Sequence, residues 1–218
     1  MYIFLLTPQI LNKMYIPDIY KNENQEDIHQ FIQDHSFGIL ANQTNGKLWA
    51  THLPFVLETT KNGTLVLVGH LSKNNPQAES FLNNKEVLVI FSGPNAYISS
   101  SWYDHENVPT WNYIAVHVYG IVKILTKEEA LESLKKLVDK YEINSESPVK
   151  VENLSEKTMQ EAEGIVAFEI EITSIEAQKK LSQNRDDKNY QNIIDKLEMT
   201  VNPEAIALAK AMKKNDRK

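Results

Sequence analysis

The stretch that decides the fold is Ile114-Ala-Val-His-Val-Tyr-Gly-Ile-Val-Lys-Ile-Leu125. Apolar side chains alternate along it, so the pattern predicts a β-strand with one face in a core. The predicted inward positions are Ile114, Val116, Val118, Val122 and Ile124. Gly120 interrupts the run, which indicates a bulge or a close backbone approach where the strand bends. Such a bending strand is typical of an antiparallel barrel.

Shorter runs of the same kind lie on either side of this strand. Asn45-Gly46 and Asn62-Gly63 are predicted hairpin turns, because Asn-Gly readily adopts a positive φ. The predicted strands before residue 114 are 39–41, 48–57, 65–70 and 87–91, and residues 165–173 alternate again after it. The pattern therefore predicts five or six strands.

Helical periodicity occurs outside these runs. Residues 25–35 carry one apolar stripe, and Thr126 to Glu129 form a capping box that opens a helix with Ala130, Leu131, Leu134, Leu137 and Val138 on its inner face. Two more helices are predicted at the end of the chain. One carries Tyr190, Ile193, Ile194 and Leu197, and the other begins at Asn202-Pro203. Strands flanked by helices make the predicted fold class α+β.

Composition excludes several function classes. The 218 residues contain no cysteine, which rules out disulfides, an iron–sulfur cluster and a thiolate nucleophile. No apolar run approaches the roughly 20 residues of a membrane-spanning helix, so we expect a cytoplasmic protein. A net charge of −6 argues against a broad basic surface for nucleic acid. Because the chain has no cysteine, redox chemistry would require a bound cofactor.

Two regions contain residues suited to ligand binding. Ser72, Lys73 and Asn75 follow a predicted strand directly, and a hydroxyl beside a lysine suits a phosphate. A solvated turn is the alternative. Downstream, Trp102, Tyr103, Trp111 and Tyr113 could wall a flat aromatic ring system or simply pack a loop. Neither pattern alone decides between ligand and scaffold.

The histidines do not predict a metal site. His52, His70, His105 and His117 lack helical i, i+4 spacing and a companion carboxylate motif. No nucleophile elbow of the Gly-x-Ser-x-Gly type is present either. The sequence thus predicts neither a metal centre nor a hydrolase triad.

Six motifs in order along the chain resemble the PaiB-type transcriptional regulators. They are MYIP (14–17), ATHLPF (50–55), GHLSKNNPQ (69–77), GPNAYIS with SWY (93–103), VPTWNY with AVHVYG (108–120) and KLSQNR (180–185). The resemblance implies an FMN-binding split β-barrel, antiparallel and Greek-key-like, with flanking helices and a C-terminal helical extension. It also implies that FMN is held between the two subunits of a homodimer.

Site residues follow from the same resemblance. Thr51, His52 and Leu53 would lie along the flavin ring, and the loop with Ser72, Lys73 and Asn75 would hold the FMN phosphate. The partner subunit would offer Trp111 and Asn112, together with Gln183 and Arg185. The chain departs from the family pattern at Asp186, where proline is frequent, and in the loop from Glu142 to Ser155.

The resemblance also sets the expected domain organisation and function. Residues 1–13 would be an N-terminal extension with Met14 as a candidate start, residues 14–180 the FMN-binding domain, and residues 181–218 helices packed on the barrel or on the partner. The expected function is transcriptional regulation, through DNA or a regulatory protein partner. No helix-turn-helix with a basic recognition face is evident. The alternatives are an FMN-dependent oxidoreductase or flavin reductase related to pyridoxamine-phosphate oxidases, or an FMN-storage module.

Overall fold

A computed structural model describes residues 14–215. Its strands are β1 (Lys21–Asn22), β2 (Phe37–Thr44), β3 (Lys47–Pro54), β4 (Val56–Thr59), β5 (Leu65–Ser72), β6 (Glu86–Ile98), β7 (Thr110–Ile124) and β8 (Ile165–Lys180). Its helices are α1 (Gln25–Asp34), α2 (Pro76–Ser80), α3 (Lys127–Glu142), α4 (Glu156–Met159), α5 (Asp187–Glu198) and α6 (Pro203–Lys214). Short 3₁₀ helices cover Asp18–Tyr20, Ser100–Trp102, Val151–Asn153 and Gln160–Gly164.

The described chain divides into two compact units. The sheet unit comprises Gln25–Ser92 and Val118–Ile175. The helical unit comprises residues 14–24, Gly93–His117 and residues 176–215. Strands β6, β7 and β8 contribute residues to both units. The predicted boundary at residue 180 stays a prediction, and the predicted extension 1–13 lies outside the described residues.

The strands follow the order β3-β2-β6-β7-β8-β5-β4, with β1 paired to β8. Antiparallel pairing joins β2 to β3 and β6, and joins β5 to β4 and β8. Asn45 and Gly46 have φ values of 50° and 76°, so the predicted Asn-Gly turn closes the β2–β3 hairpin. Strand β3 stands at one end of the strand order and is therefore an edge of the sheet. The predicted α+β class with an antiparallel sheet is confirmed.

Because Gly120 has no side chain, β7 and β8 can approach each other closely in the sheet unit. A Cβ atom at Gly120 would lie 2.5 Å from the carbonyl oxygen of Glu171 and 2.5 Å from Cγ2 of Ile170. The predicted close backbone approach is confirmed. Of the predicted inward residues of β7, Ile114, Val116, Val118 and Val122 are buried, but Ile124 is 40% exposed. That part of the prediction is wrong, because Ile124 ends the strand.

Strand boundaries differ from the sequence prediction in two places. The single predicted strand 48–57 is divided into β3 and β4 at Phe55, whose backbone N–H donates to the carbonyl of Ser36 at 2.8 Å. Phe55 is fully buried and meets Phe91 edge-to-face at 5.7 Å, so core packing turns the chain there. Strand β6 continues to Ile98, well past the predicted end at Phe91. The prediction stopped too early because polar residues after Phe91 mask the alternating pattern.

The predicted helices form close to their expected limits. Thr126 and Glu129 make the reciprocal capping box of α3, but the predicted inner face of α3 is only half-buried. In the helical unit, the predicted apolar stripe of α5 is buried, and the Asn202 side chain caps α6. Within residues 14–215, no helix is long and apolar enough to cross a membrane.

Candidate functional site

A cavity of about 620 Å³ opens in the sheet unit beside β3 and the end of β5. Small-molecule sites are typically about 300–1,000 Å³, so its size suits a cofactor. The lining residues are Thr51, His52, Leu53, His70, Leu71, Ser72, Asn74, Asn75, Glu161, Gly164 and Ile165. Polar groups from the β5–α2 loop therefore face the same space as the end of β3.

The structure brings together at one cavity five of the six residues that the sequence predicted for the sheet unit, all except Lys73. Thr51, His52, Leu53, Ser72 and Asn75 all line this cavity. Lys73 lies in the same loop, and its backbone N–H donates to the carbonyl of Gly164 at 2.9 Å. That bond ties the Ser72–Asn75 loop to the 3₁₀ helix Gln160–Gly164, which forms another wall of the cavity. Sequence reasoning did not place this wall at the site.

A network of side-chain hydrogen bonds holds Thr51 and Asn75 in place. The Thr51 hydroxyl donates to Oε1 of Gln77 and accepts from Nδ2 of Asn75 at 2.8 Å. Asn75 also caps α2, because its Oδ1 accepts from the backbone N–H of Gln77 at 3.0 Å. Both cavity residues are therefore held by Gln77.

Gln77 is itself anchored deep in the sheet unit. Its side chain is 0% exposed, and its Nε2 donates to Oδ1 of Asn42 at 2.9 Å and to the carbonyl of Leu40 at 3.3 Å. Asn42 in turn donates to the Ser80 hydroxyl at 2.8 Å. Sequence reasoning missed Gln77. The available signal was Asn75-Pro76, a cap followed by proline, which marks the start of a helix just before Gln77.

Strand β3 presents unpaired backbone groups beside the cavity. Thr44 opposes Lys47 and Ile39 opposes His52 in the β2–β3 ladder. A two-residue turn closes on a hydrogen-bonded pair, and such pairs alternate along an antiparallel ladder. His52 therefore occupies a non-hydrogen-bonded position, and its N–H and C=O point away from β2. Because β3 is an edge strand, these groups can meet the polar edge of a ligand.

His70 is the partly buried titratable group of the cavity wall. It lies near the end of β5 opposite Ala167 of β8. Desolvation by burial lowers the pKa of His70 below its ordinary value. The imidazole is therefore neutral at pH 7, and it can donate one hydrogen bond and accept another.

Asn112 and Gln183 lie in the helical unit, where their polar groups are already hydrogen-bonded. Asn112 is 0% exposed; its Nδ2 donates to the Ser182 hydroxyl at 2.9 Å, and its Oδ1 accepts from that hydroxyl at 3.2 Å. Gln183 donates to the carbonyls of Lys179 and Ile19 at 2.7 and 3.1 Å. Their predicted contact with a flavin stays a prediction.

Trp111 and Arg185 also lie in the helical unit, and each side chain contacts a neighbouring side chain. Trp111 is 51% exposed, and its Nε1 donates to Oδ1 of Asn95 at 3.0 Å. The Arg185 guanidinium lies 5.0 Å from the centre of the Tyr103 ring, a cation–π geometry. Their roles toward a cofactor likewise stay predictions.

A polar cluster around Asp104, which sequence reasoning missed, lies at the start of α5. Asp104 accepts hydrogen bonds from Lys188 at 2.8 Å and from Asn189 at 3.0 Å, and its carboxylate lies 2.9 Å from Nδ1 of His105. These contacts, led by Lys188, hold the pKa of Asp104 well below its usual range. Asp104 and Lys188 are separated by many residues, so no local pattern could reveal this pairing.

Comparison with known proteins places these observations in a family. Residues 14–174 match the family described as "Putative FMN-binding domain". The chain is 45% identical over 200 residues to protease synthase and sporulation protein PAI 2 of Bacillus subtilis, covering 91% of this chain and 96% of the relative. The predicted resemblance is therefore confirmed.

Solved structures show the same fold at low sequence identity. The flavocytochrome Anf3 of Azotobacter vinelandii matches with a TM-score of 0.59 and 17% identity, over 79% of this chain and 75% of its own. The FAD and heme binding protein of Mycobacterium smegmatis matches with a TM-score of 0.58 and 14% identity, over 79% and 78% of the two chains. The predicted split-barrel fold class is confirmed.

Proposed function

The chain belongs to the FMN-binding domain family, and from that premise we propose that it is a flavin-dependent regulator of the PaiB type. FMN is its cofactor. In this proposal FMN occupies the cavity of the sheet unit and is closed in by a second copy of the chain. The observation that carries the proposal is the convergence of Thr51, His52, Leu53, Ser72 and Asn75 on one cavity.

Ser72 and Lys73 are proposed to hold the FMN phosphate. A phosphomonoester carries about two negative charges, and a lysine with a hydroxyl provides charge-assisted hydrogen bonds to its oxygens. The Ser72 hydroxyl accepts from the backbone N–H of Asn74 at 3.2 Å, and the Lys73 backbone is tied to Gly164. These bonds preorder the loop, so less conformational entropy is lost on binding.

The end of β3 is proposed to lie along the isoalloxazine ring. The outward N–H and C=O of His52 can pair with the polar edge of the ring, while the buried side chain of Leu53 contributes an apolar surface. The hydroxyl of Thr51 is engaged by Gln77 and Asn75. Thr51 therefore acts mainly by holding its strand in place.

The second copy is proposed to supply Trp111 and Arg185 from its helical unit. Trp111 offers a half-exposed aromatic face. The side chain of Asn112 is bonded to Ser182, and that of Gln183 to the carbonyls of Lys179 and Ile19. An exposed apolar surface on β2 and β3 supports self-association, since Phe37 is 65% and Leu48 is 90% exposed. A homodimer would cover this surface.

The regulatory assignment is favoured by the Bacillus subtilis relative, whose name refers to sporulation and which aligns over nearly its full length. Bound FMN supplies reversible electron transfer, and a regulator can use it as a signal. The output would pass to DNA or to a regulatory protein partner. The alternative is a flavin reductase or FMN-dependent oxidoreductase, which the neutral His70 in the cavity wall favours as a proton donor or acceptor.

Flavin binding and assembly can be tested together. Titration of the purified chain with FMN, followed by absorbance and flavin fluorescence, should show saturable binding to a species with twice the mass of one chain. Trp111→Ala should weaken binding and reduce the quenching of flavin fluorescence. Met199→Ala removes another exposed apolar side chain of the helical unit and should change neither. A monomer, or a protein that binds no FMN, would contradict the proposal.

Function can be separated from binding by two further assays. NAD(P)H-dependent bleaching of the bound flavin would favour the enzyme. A salt-dependent, sequence-selective shift of promoter DNA would favour direct regulation. Recovery of a specific protein partner instead of DNA would favour indirect regulation.

A further inference from the structure

Glu161 is the acidic side chain among the residues that line the cavity. Within the described part of the chain, the lining includes no lysine or arginine, and burial favours the neutral form of His70. An acidic residue thus lines the cavity that is proposed to receive a phosphate.

The backbone around Glu161 is tied to the proposed phosphate loop. Glu161 belongs to the 3₁₀ helix Gln160–Gly164, and the carbonyl of Gly164 accepts from the backbone N–H of Lys73 at 2.9 Å. The acidic wall and the cationic loop are therefore parts of one hydrogen-bonded arrangement.

Glu163, on the same 3₁₀ helix, has a different environment. Its carboxylate accepts from Nζ of Lys127 at 3.1 Å, and Glu163 does not line the cavity. For Glu161, the region from residue 14 to 215 provides no ion pair. The charge of Glu163 is compensated at the surface, whereas the charge of Glu161 remains available to act on a ligand.

We infer that Glu161 determines how strongly the site discriminates between phosphorylated and unphosphorylated flavins. This inference rests on the proposed function. The carboxylate repels the phosphate of FMN and opposes the attraction of Lys73. Riboflavin carries no phosphate and does not experience this repulsion. Glu161 therefore lowers the contribution of the phosphate to affinity and keeps FMN exchangeable.

The test compares two ligands on three proteins. The dissociation constants of FMN and riboflavin are measured by flavin fluorescence for the wild type, Glu161→Gln and Glu163→Gln. Glu161→Gln should tighten FMN binding by about 3- to 10-fold, as expected when one partly screened negative charge is removed from the cavity wall. Its riboflavin affinity should stay unchanged. Glu163→Gln should alter neither constant.

Two results would overturn the inference. Equal weakening of both ligands by Glu161→Gln would show that the carboxylate accepts hydrogen bonds from the ribityl chain that both flavins share. An unchanged ratio of the two constants would show that the carboxylate does not act on the phosphate. In both cases the wild type still binds flavin, whereas a wild type that binds neither ligand would refute the proposed function itself.

Discussion

The sheet unit and the helical unit use the same kinds of polar residue in opposite ways. In the sheet unit, Asn75 and Thr51 line a cavity, while the buried Gln77 supports them from behind. In the helical unit, Asn112 is fully buried and its amide is bonded to Ser182. The motif resemblance predicted that both Asn75 and Asn112 contact FMN.

The comparison shows that a motif identifies residues that matter without separating ligand contacts from internal supports. A buried amide whose hydrogen bonds are satisfied within its own unit stabilises the fold. Asn75 also makes internal hydrogen bonds, but it lines the cavity, where its amide nitrogen and oxygen can each make one more bond to a ligand. The distinction depends on contacts between residues distant in sequence.

The largest effects are expected from replacing the buried amide side chains of the two units, Gln77 in the sheet unit and Asn112 in the helical unit. Gln77→Met leaves Asn42 and the Leu40 carbonyl without their partner, so we expect a loss of about 2–3 kcal/mol in the free energy of unfolding. Because Thr51 and Asn75 lose their anchor, FMN affinity should also fall by at least about 10-fold. Urea denaturation and FMN titration of the folded protein measure the two effects.

Asn112→Leu provides the matched test in the helical unit. It should destabilise the protein by a similar amount, about 2–3 kcal/mol, because Ser182 loses its buried partner. FMN affinity of the folded protein should change much less than in Gln77→Met. If Asn112→Leu abolished FMN binding without affecting stability, Asn112 would be a direct contact and the contrast between the two units would fail.

A smaller effect is expected from Lys73→Ala. Loss of one charge-assisted contact to phosphate should weaken FMN binding by about 10-fold, equivalent to roughly 1.4 kcal/mol. Riboflavin binding and the urea midpoint should not change. Lys61→Ala, in the turn between β4 and β5, removes an equal charge from the same unit and is the control. Equal effects of the two variants would indicate a general influence of net charge.

The smallest effect is expected for Asp104→Asn in the helical unit. Since folding lowers the pKa of Asp104, its stabilising contribution is complete above the ordinary carboxylate pKa of about 3.9 and is lost as the pH falls through the lowered value. The wild type should therefore have a higher Tm near pH 7, and the difference should narrow below about pH 4. FMN affinity should be the same in both proteins. A difference in Tm that persisted at low pH would exclude Asp104 ionisation as the cause.

Local patterns predicted much of the fold. The alternation in β7, the Asn45-Gly46 turn and the capping box at Thr126 each depend on neighbouring residues, and all three are present. The extension of β6 to Ile98 was missed because its polar residues weaken the alternation.

Local pattern alone predicted the candidate site only in one segment, whereas Thr51, His52 and Leu53 were predicted from the motif resemblance. Ser72, Lys73 and Asn75 follow a strand, and a strand end commonly carries a binding loop. Gln77 bonds to Leu40 and Asn42, and Glu161 reaches the cavity from far along the chain. Tertiary packing creates these contacts, and no short-range pattern encodes them.

The unpaired edge of β3 has a consequence for the folding of the chain. The backbone groups of Leu48, Ala50 and His52 face outward, and the Leu48 side chain is 90% exposed. Such a strand can be extended by another extended segment, including one from a misfolded neighbour. Newly made chains are therefore open to aggregation through this edge, and Leu48→Lys should reduce aggregation in concentrated solution.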